Sequence, residues 1–276
     1  MAIVWAVVNQ KGGVGKTTTA VNLAAYLAAA KRRVLLVDTD PQGNATSGVG
    51  VDRRGVTADI YTVLVHGEPI SQARRATATP NLDLVPATIN LAGAEMELMQ
   101  VPEREYVLQK AVRAVDADYD YILLDSPPSL GLITVNTLTA AQAVIIPLQC
   151  EYYALEGITQ LLEIIERVRQ RLNPDLAVGQ VILTMFDGRT NLANQVMQEV
   201  KGYFGAAVSP TVVPRNIRLS EAPSFGQPIA QYDPRSKGAQ AYEKIAKELI
   251  TDVERKAGAG TGTGRPDSRW WRRGRG

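Results

Sequence analysis

Asn9-Gln10-Lys11-Gly12-Gly13-Val14-Gly15-Lys16-Thr17-Thr18-Thr19 follows the apolar run 3–8 and opens into an alanine-rich stretch with helical spacing. This strand, glycine-rich turn and helix in succession decide the fold class. Glycines let consecutive N–H groups turn toward one anion, and the following helix adds the positive end of its dipole. A lysine and a threonine at the end of such a loop suit a nucleoside triphosphate, with Lys16 on the β/γ-phosphates and Thr17 on Mg²⁺. The standard phosphate loop has glycine where Gln10 stands, and here a further lysine, Lys11, precedes the glycine pair.

Outward from the loop, apolar runs at 34–38, 82–86, 121–125, 143–148 and 180–185 alternate with helical patterns at 16–30, 104–117, 155–172, 192–204 and 239–255. Several of the runs are continuous Val/Ile/Leu rather than alternating, as expected where both sheet faces are covered. The expectation is an α/β fold, a doubly wound, mostly parallel twisted sheet flanked by helices. Residues 43–81, rich in Gly, Ser, Thr and Arg, carry the weakest pattern.

Composition narrows the function. The chain of 276 residues has 45% apolar residues, one cysteine and one histidine. Lone Cys150 and lone His66 exclude a disulfide framework, a thiolate cluster and His-based triads, and fit a reducing cytoplasm. No apolar run is long enough to predict a membrane span or a secretory leader. The net charge is +2. From Arg255 to Gly276, however, seven basic residues face one acid, so the preceding chain is net acidic. We expect an ATPase domain over 1–256 and a disordered basic tail over 257–276, whose Ala/Gly/Thr stretch has nothing to bury. Its Arg269-Trp270-Trp271-Arg272-Arg273 run is open to three readings: a passive solvated tail, nucleic-acid contact or membrane-surface contact.

Two buried runs end in carboxylates, at the edge where open parallel sheets bind ligands. The first reads Val34-Leu-Leu-Val-Asp38-Thr-Asp40-Pro-Gln-Gly, with Asp40 suited to orienting an attacking water and Asp38 toward the metal. The same residues would also serve a plain turn. The second, Tyr121-Ile-Leu-Leu-Asp125-Ser-Pro-Pro, ends as a Walker B carboxylate does, holding the Mg²⁺ shell.

The variant Lys11-Gly-Gly-Val-Gly-Lys-Thr-Thr18 resembles the deviant Walker A loop of the signature-lysine ATPases, and the whole core resembles the ParA/Soj family. Further matching blocks are Asp38-Thr-Asp-Pro-Gln-Gly-Asn-Ala-Thr-Ser-Gly48, Pro86-Ala-Thr-Ile-Asn-Leu-Ala-Gly-Ala-Glu95, Asp125-Ser-Pro-Pro-Ser-Leu-Gly131, Gln149-Cys-Glu-Tyr-Tyr-Ala-Leu-Glu-Gly157, Leu183-Thr-Met-Phe-Asp-Gly-Arg-Thr-Asn191 and Pro214-Arg-Asn-Ile-Arg-Leu-Ser-Glu-Ala-Pro223. A missing cysteine pair and a single phosphate loop separate it from the iron–sulfur and arsenite-pump relatives.

The resemblance implies an ATPase with ATP and Mg²⁺ as cofactors, acting in chromosome or plasmid partitioning. Two subunits sandwich two nucleotides, and Lys11 reaches the partner's nucleotide. By this reading Lys11, Lys16 and Asp40 are catalytic, and Lys11, Gly12, Gly13, Val14, Gly15, Lys16, Thr17 and Thr18 contact nucleotide. Pro214 and Asn216 lie against adenine, and Thr17, Asp38 and Asp125 face the metal. Gly12 stays small so that the nucleotide faces can close. Nonspecific double-stranded DNA is expected to meet Arg189 and Arg218, with Arg215, Arg235 and Lys237 as weaker candidates. The implied partner is a ParB-like centromere-binding protein that stimulates a slow ATPase. The protein is expected in the cytoplasm on the nucleoid, without stable membrane association. Two alternatives share the nucleotide chemistry: a MinD-like membrane-surface switch, and a regulator of replication initiation or cargo position.

Overall fold

The structure is a computed structural model that describes residues 1–151 and 154–258. Seven strands form one sheet: β1 (Ile3–Val7), β2 (Val34–Asp38), β3 (Arg75–Ala76), β4 (Leu82–Val85), β5 (Tyr121–Asp125), β6 (Ala143–Gln149) and β7 (Ala177–Thr184), in the order β3-β4-β2-β5-β1-β6-β7. All pairings are parallel except β3 with β4. The expected doubly wound, mostly parallel sheet is therefore what the chain forms. The two-residue antiparallel edge strand β3 has no apolar run to announce it.

Alternation along each strand builds two cores. Val4, Ala6 and Val8 face one side with Leu35, Val37, Ile122, Leu124 and Ile146. Trp5 and Val7 face the other with Leu36, Leu123 and Ile145, beneath the helices Lys16–Ala29 and Lys237–Gly258. With both faces covered, the strands are buried along most of their length, which explains their uninterrupted Val/Ile/Leu content.

The helix Lys16–Ala29 follows its alanine content, and the helices Ala154–Arg171 and Asn191–Phe204 fall within a residue of expectation. The pattern at 104–117 resolves into a 3₁₀ turn, Arg104–Tyr106, and the shorter helix Val107–Arg113. The terminal helix runs to Gly258, past the expected start of the tail; the Trp/Arg-rich run lies outside the described residues.

In the weakly patterned region, Asp59 and Thr62 form a reciprocal cap on the helix Ile60–His66. The helix Leu132–Ala140 was not expected, because Ile, Val and Thr favour strands. Two of its three threonines turn inward on the helix itself: Thr137 donates to the Ile133 carbonyl at 2.9 Å and Thr139 to the Val135 carbonyl at 2.8 Å. Asn136 accepts from Leu108 N–H at 3.1 Å, so tertiary contacts override local preference.

Candidate nucleotide site

The C-terminal ends of β1, β2 and β5 are adjacent. Register places Asp125 beside Val7 on one side and Asp38 on the other. The loop after β1 and both carboxylate strands thus meet at one edge of the sheet, which the sequence order does not reveal.

The loop is held from several directions. Asn9 Nδ2 donates to the Pro147 carbonyl beyond the sheet centre at 2.7 Å, while Asn9 Oδ1 accepts the Lys11 N–H at 3.0 Å. Thr184 at the end of β7 donates to the Val14 carbonyl at 2.8 Å. Gly13 and Gly15 have φ of 75° and 89°, in the left-handed region where a Cβ is strained, and Gly15 caps the helix Lys16–Ala29 without a side chain. Its first-turn N–H groups therefore remain directed at the loop. Gly12 has no such φ, and a Cβ there would meet nothing within 4 Å.

Lys16 is buried, and its Nζ donates to the Lys11 carbonyl at 3.2 Å. Burial pulls its pKa below the ordinary lysine value, against the attraction of Asp125 and Asp40. Asp125 is fully buried, and neither carboxylate oxygen has a hydrogen-bond partner among the described residues. Burial, with the charge of Asp38 beside it, pushes its pKa well above the carboxylate range; Lys16 and the nearby Thr17 hydroxyl pull the other way. An orphaned carboxylate next to a hydroxyl and an ammonium is what a bound Mg²⁺–phosphate unit would complete, so the residues present fit that group. No group of three or more His, Cys, Asp or Glu side chains that could hold a metal occurs among the described residues. Mg²⁺ here would therefore share its shell with phosphate and water.

Asp38, expected on the metal side, directs both oxygens to protein donors. Oδ1 accepts Asp40 N–H at 3.1 Å, and Oδ2 accepts Thr46 N–H at 2.8 Å and the Thr46 hydroxyl at 2.7 Å. Burial raises its pKa to about 6 in spite of those bonds. It pins the helix Asn44–Gly48 and the Asp40 turn to the end of β2. Asp40 Oδ1 accepts Gln42 N–H at 2.9 Å, leaving Oδ2 without a partner among the described residues.

A cavity of about 680 Å³ continues from the loop, lined among others by Thr18, Met185, Pro214, Asn216 and Gln227. That size suits a nucleoside. Pro214 pairs with Phe186 across an isolated parallel bridge, and Asn216 Oδ1 caps the short helix Ile217–Glu221 by accepting Arg218 N–H at 2.8 Å. Both residues expected against the base therefore stand in the cavity wall. Sequence reasoning missed Met185, a non-glycine residue at φ 50°, since nothing in its identity signals that backbone. It also missed Glu151, which takes the Lys11 ammonium at 2.5 Å and is itself bonded by Gln149.

The expected cations fall in two groups beside this wall. Arg189 pairs with Asp187, next to Arg215; Arg218 pairs with Glu221 at 2.8 Å and Asp233 at 3.5 Å, with Arg235 and Lys237 exposed farther along. No helix of the described residues is long and apolar enough to cross a membrane.

A family model described as an AAA domain matches residues 2–178. The Sporulation initiation inhibitor protein Soj of Bacillus subtilis is 56% identical over 252 residues, covering 91% of this chain and 100% of that protein. The Chromosome partitioning protein ParA of Myxococcus xanthus is 56% identical over 242 residues, covering 88% of this chain and 86% of that protein. Among solved structures, a cobyrinic acid a,c-diamide synthase from Mycobacterium smegmatis with bound ADP and magnesium is similar with a TM-score of 0.81 and 39% identity, covering 92% of this chain and 96% of that one.

Proposed function

We propose, from the premise that this chain belongs to the ParA/Soj family of chromosome-partitioning ATPases, that it is an ATP-driven switch that carries DNA cargo by alternating between a free and a DNA-bound state. It is an ATPase, with ATP and Mg²⁺ as cofactors. In this reading the cavity takes the base and ribose. The N–H groups of the Gly12–Thr18 loop and Lys16 take the phosphates. Thr17 and Asp125 would hold the metal, which would supply charge neutralisation to the phosphates. Asp40 Oδ2 orients the attacking water, while Asp38 holds the Asp40 turn in place.

The observation that carries the dimer part is Gly12. Its backbone is ordinary and its surroundings are open, so nothing within one chain calls for glycine at that position. A second subunit closing over the loop would call for it, and would bring a second Lys11 to each nucleotide. The ATP dimer then doubles the basic groups around Arg189 and Arg218, so that phosphate contacts add up on an otherwise acidic core. Hydrolysis, stimulated by a ParB-like partner, returns the free state. The protein resides in the cytoplasm on the nucleoid, as one ATPase domain over 1–256 with a basic tail over 257–276 whose partner is left open.

The MinD-like alternative requires an amphipathic C-terminal helix free to lie on lipid. Tyr242, Ile245, Ala246 and Leu249 of the last helix are instead buried against the core, which favours the DNA reading.

DNA binding of the wild type and Asp40→Ala with ATP, ADP or no nucleotide, across a salt series and with turnover recorded alongside, tests the proposal. Salt-sensitive binding with ATP alone, kept by Asp40→Ala while turnover is lost, is the expected result. Binding indifferent to nucleotide would sink the switch.

A further inference from the structure

Beyond Thr184 the chain leaves β7 through Met185 at φ 50°, and Phe186 is then stitched to the strand-like segment beside it. Phe186 N–H donates to the Val213 carbonyl at 3.0 Å, and Arg215 N–H donates back to the Phe186 carbonyl at 3.4 Å. This stitch fixes Asp187 between two arginines, Arg189 on its own turn and Arg215 on the neighbouring segment.

Asp187 engages Arg189 through three donors. Its Oδ1 accepts the backbone N–H at 3.1 Å and Nε–H at 2.8 Å, and its Oδ2 accepts Nη2–H at 2.6 Å. The Arg189 side chain is 90% exposed, against 33% for Asp187. An arginine so open to solvent is nevertheless folded back on a carboxylate of its own turn. The two-point fork it presents to Asp187 is the geometry arginine uses for a phosphate. Arg215 makes no ion pair among the described residues, and its charge reaches Asp187 through space. The Arg189 contact, above all, holds the Asp187 carboxyl at about 2, so the aspartate is charged throughout the physiological range.

We propose that Asp187 acts as an internal stand-in for phosphate, occupying the Arg189 fork and masking the basic surface of Arg189 and Arg215 until a DNA backbone phosphate displaces it. The proposal rests on the DNA-binding reading above and adds how that surface is regulated. Exposed pairs of this kind contribute little to folding, so displacement is cheap and the mask is reversible. Its position gives it a route to the nucleotide: Met185 and Pro214 line the cavity, each within two residues of a masked or masking group. A ligand in that cavity abuts both chain segments that hold the mask.

The test is duplex-DNA binding by the full chain, with apparent Kd followed over a salt series without nucleotide and with ATP. Asp187→Asn removes the charge but keeps an Oδ1 acceptor for the Arg189 N–H. Glu199→Gln removes one exposed acid from the following helix without touching Arg189, which controls for net charge alone. The expected result is tighter binding by Asp187→Asn in both conditions. Its slope of log Kd against log salt should stay near the wild-type slope, because Arg189 meets a phosphate in both bound states and only the competition from Asp187 is removed. Adding Arg189→Ala to Asp187→Asn should abolish the gain, and Glu199→Gln should bind close to the wild type. ATP-dependent binding by the wild type, with Asp187→Asn binding no tighter than Glu199→Gln or keeping its gain when Arg189→Ala is added, overturns the mask alone. No DNA binding by any of these proteins in any nucleotide state overturns the DNA reading and the mask together.

Discussion

Lys11 Nζ lies 2.5 Å from Glu151 Oε2, joining the loop after β1 to the chain leaving β6, and both side chains are about half exposed. In the single chain the lysine that the family resemblance sends to a partner's nucleotide is therefore held by a carboxylate of its own subunit. In the proposed dimer, closure would exchange one anion for another.

An exposed pair of this kind contributes about 0–1 kcal/mol to folding. Lys11→Ala should accordingly keep the wild-type urea midpoint within that range. ATP turnover should nonetheless fall by about 10³-fold or more, the loss expected for a cation that stabilises charge on the transferring phosphoryl group. Denaturant titration and single-turnover hydrolysis check the two halves separately.

Gly12 and Gly226 should respond oppositely to substitution. Gly226 sits at φ 63°, and a Cβ there would come within 2.8 Å of the Gly50 Cα, where the turn ending in Gly226 packs on the helix Asn44–Gly48. Gly226→Ala should destabilise the fold by about 1–3 kcal/mol and weaken nucleotide binding, because the same turn lines the cavity. Gly12→Val should leave thermal stability and ATP affinity near wild type while abolishing the ATP-dependent increase in mass. Calorimetry and light scattering distinguish the two.

Asp125 predicts a pH dependence of known sign in metal-free protein. Its folded pKa is raised by burial and by Asp38, and Asp38 itself stands near about 6, with Asp40, Lys16, Thr17 and Thr46 the other groups facing the pair. A carboxyl whose folded pKa exceeds its unfolded value is protonated more readily in the native state. Its stabilising contribution is present below an unfolded pKa of about 3.9 and is lost as pH rises through the folded value. Asp125→Asn should therefore be more stable than the wild type near neutral pH in EDTA, with the difference shrinking as pH falls from the folded value and smallest below about pH 4. The variant should also lose Mg²⁺-dependent turnover. Tm measured against pH for both proteins tests the sign.

Tyr242 places its hydroxyl 3.0 Å from the Thr19 hydroxyl in the buried layer between the first and last helices. Tyr242→Phe should cost about 0.5–1.5 kcal/mol, read as a lowered urea midpoint, without changing the nucleotide dependence of the protein.

Much of this architecture is legible along the chain because the relevant signals are local. The phosphate loop needs Gly13 and Gly15 at positive φ followed by a helix N-terminus, and consecutive residues supply both. The ends of β2 and β5 are marked by the fall from buried apolar residues to Asp38 and Asp125, since a strand covered on both faces tolerates a carboxylate only at its end. The helix Leu132–Ala140 and strand β3 escaped notice for the converse reason. The first defies the strand preference of its Ile, Val and Thr residues through contacts with distant Leu108 and its own backbone, and the second exists only by pairing with β4.

What the amino-acid sequence determined by itself was the chemistry: a phosphate loop with an additional lysine, two carboxylates and a sheet covered on both sides, each coded by neighbours in the chain. The division of labour between those carboxylates was decided by tertiary structure. Asp38 and Asp125 look alike as strand-ending aspartates. Packing presents one to the N–H and hydroxyl of Thr46 and leaves the other buried beside Lys16 without a hydrogen-bond partner among the described residues. The same holds for Lys11 and Arg189, whose charges are plain in the sequence while their carboxylate partners, Glu151 and Asp187, are fixed by how β6 and β7 end. A residue type carries its charge and its donors wherever it stands. Whether those donors are free to meet a ligand depends on what the fold has already placed against them.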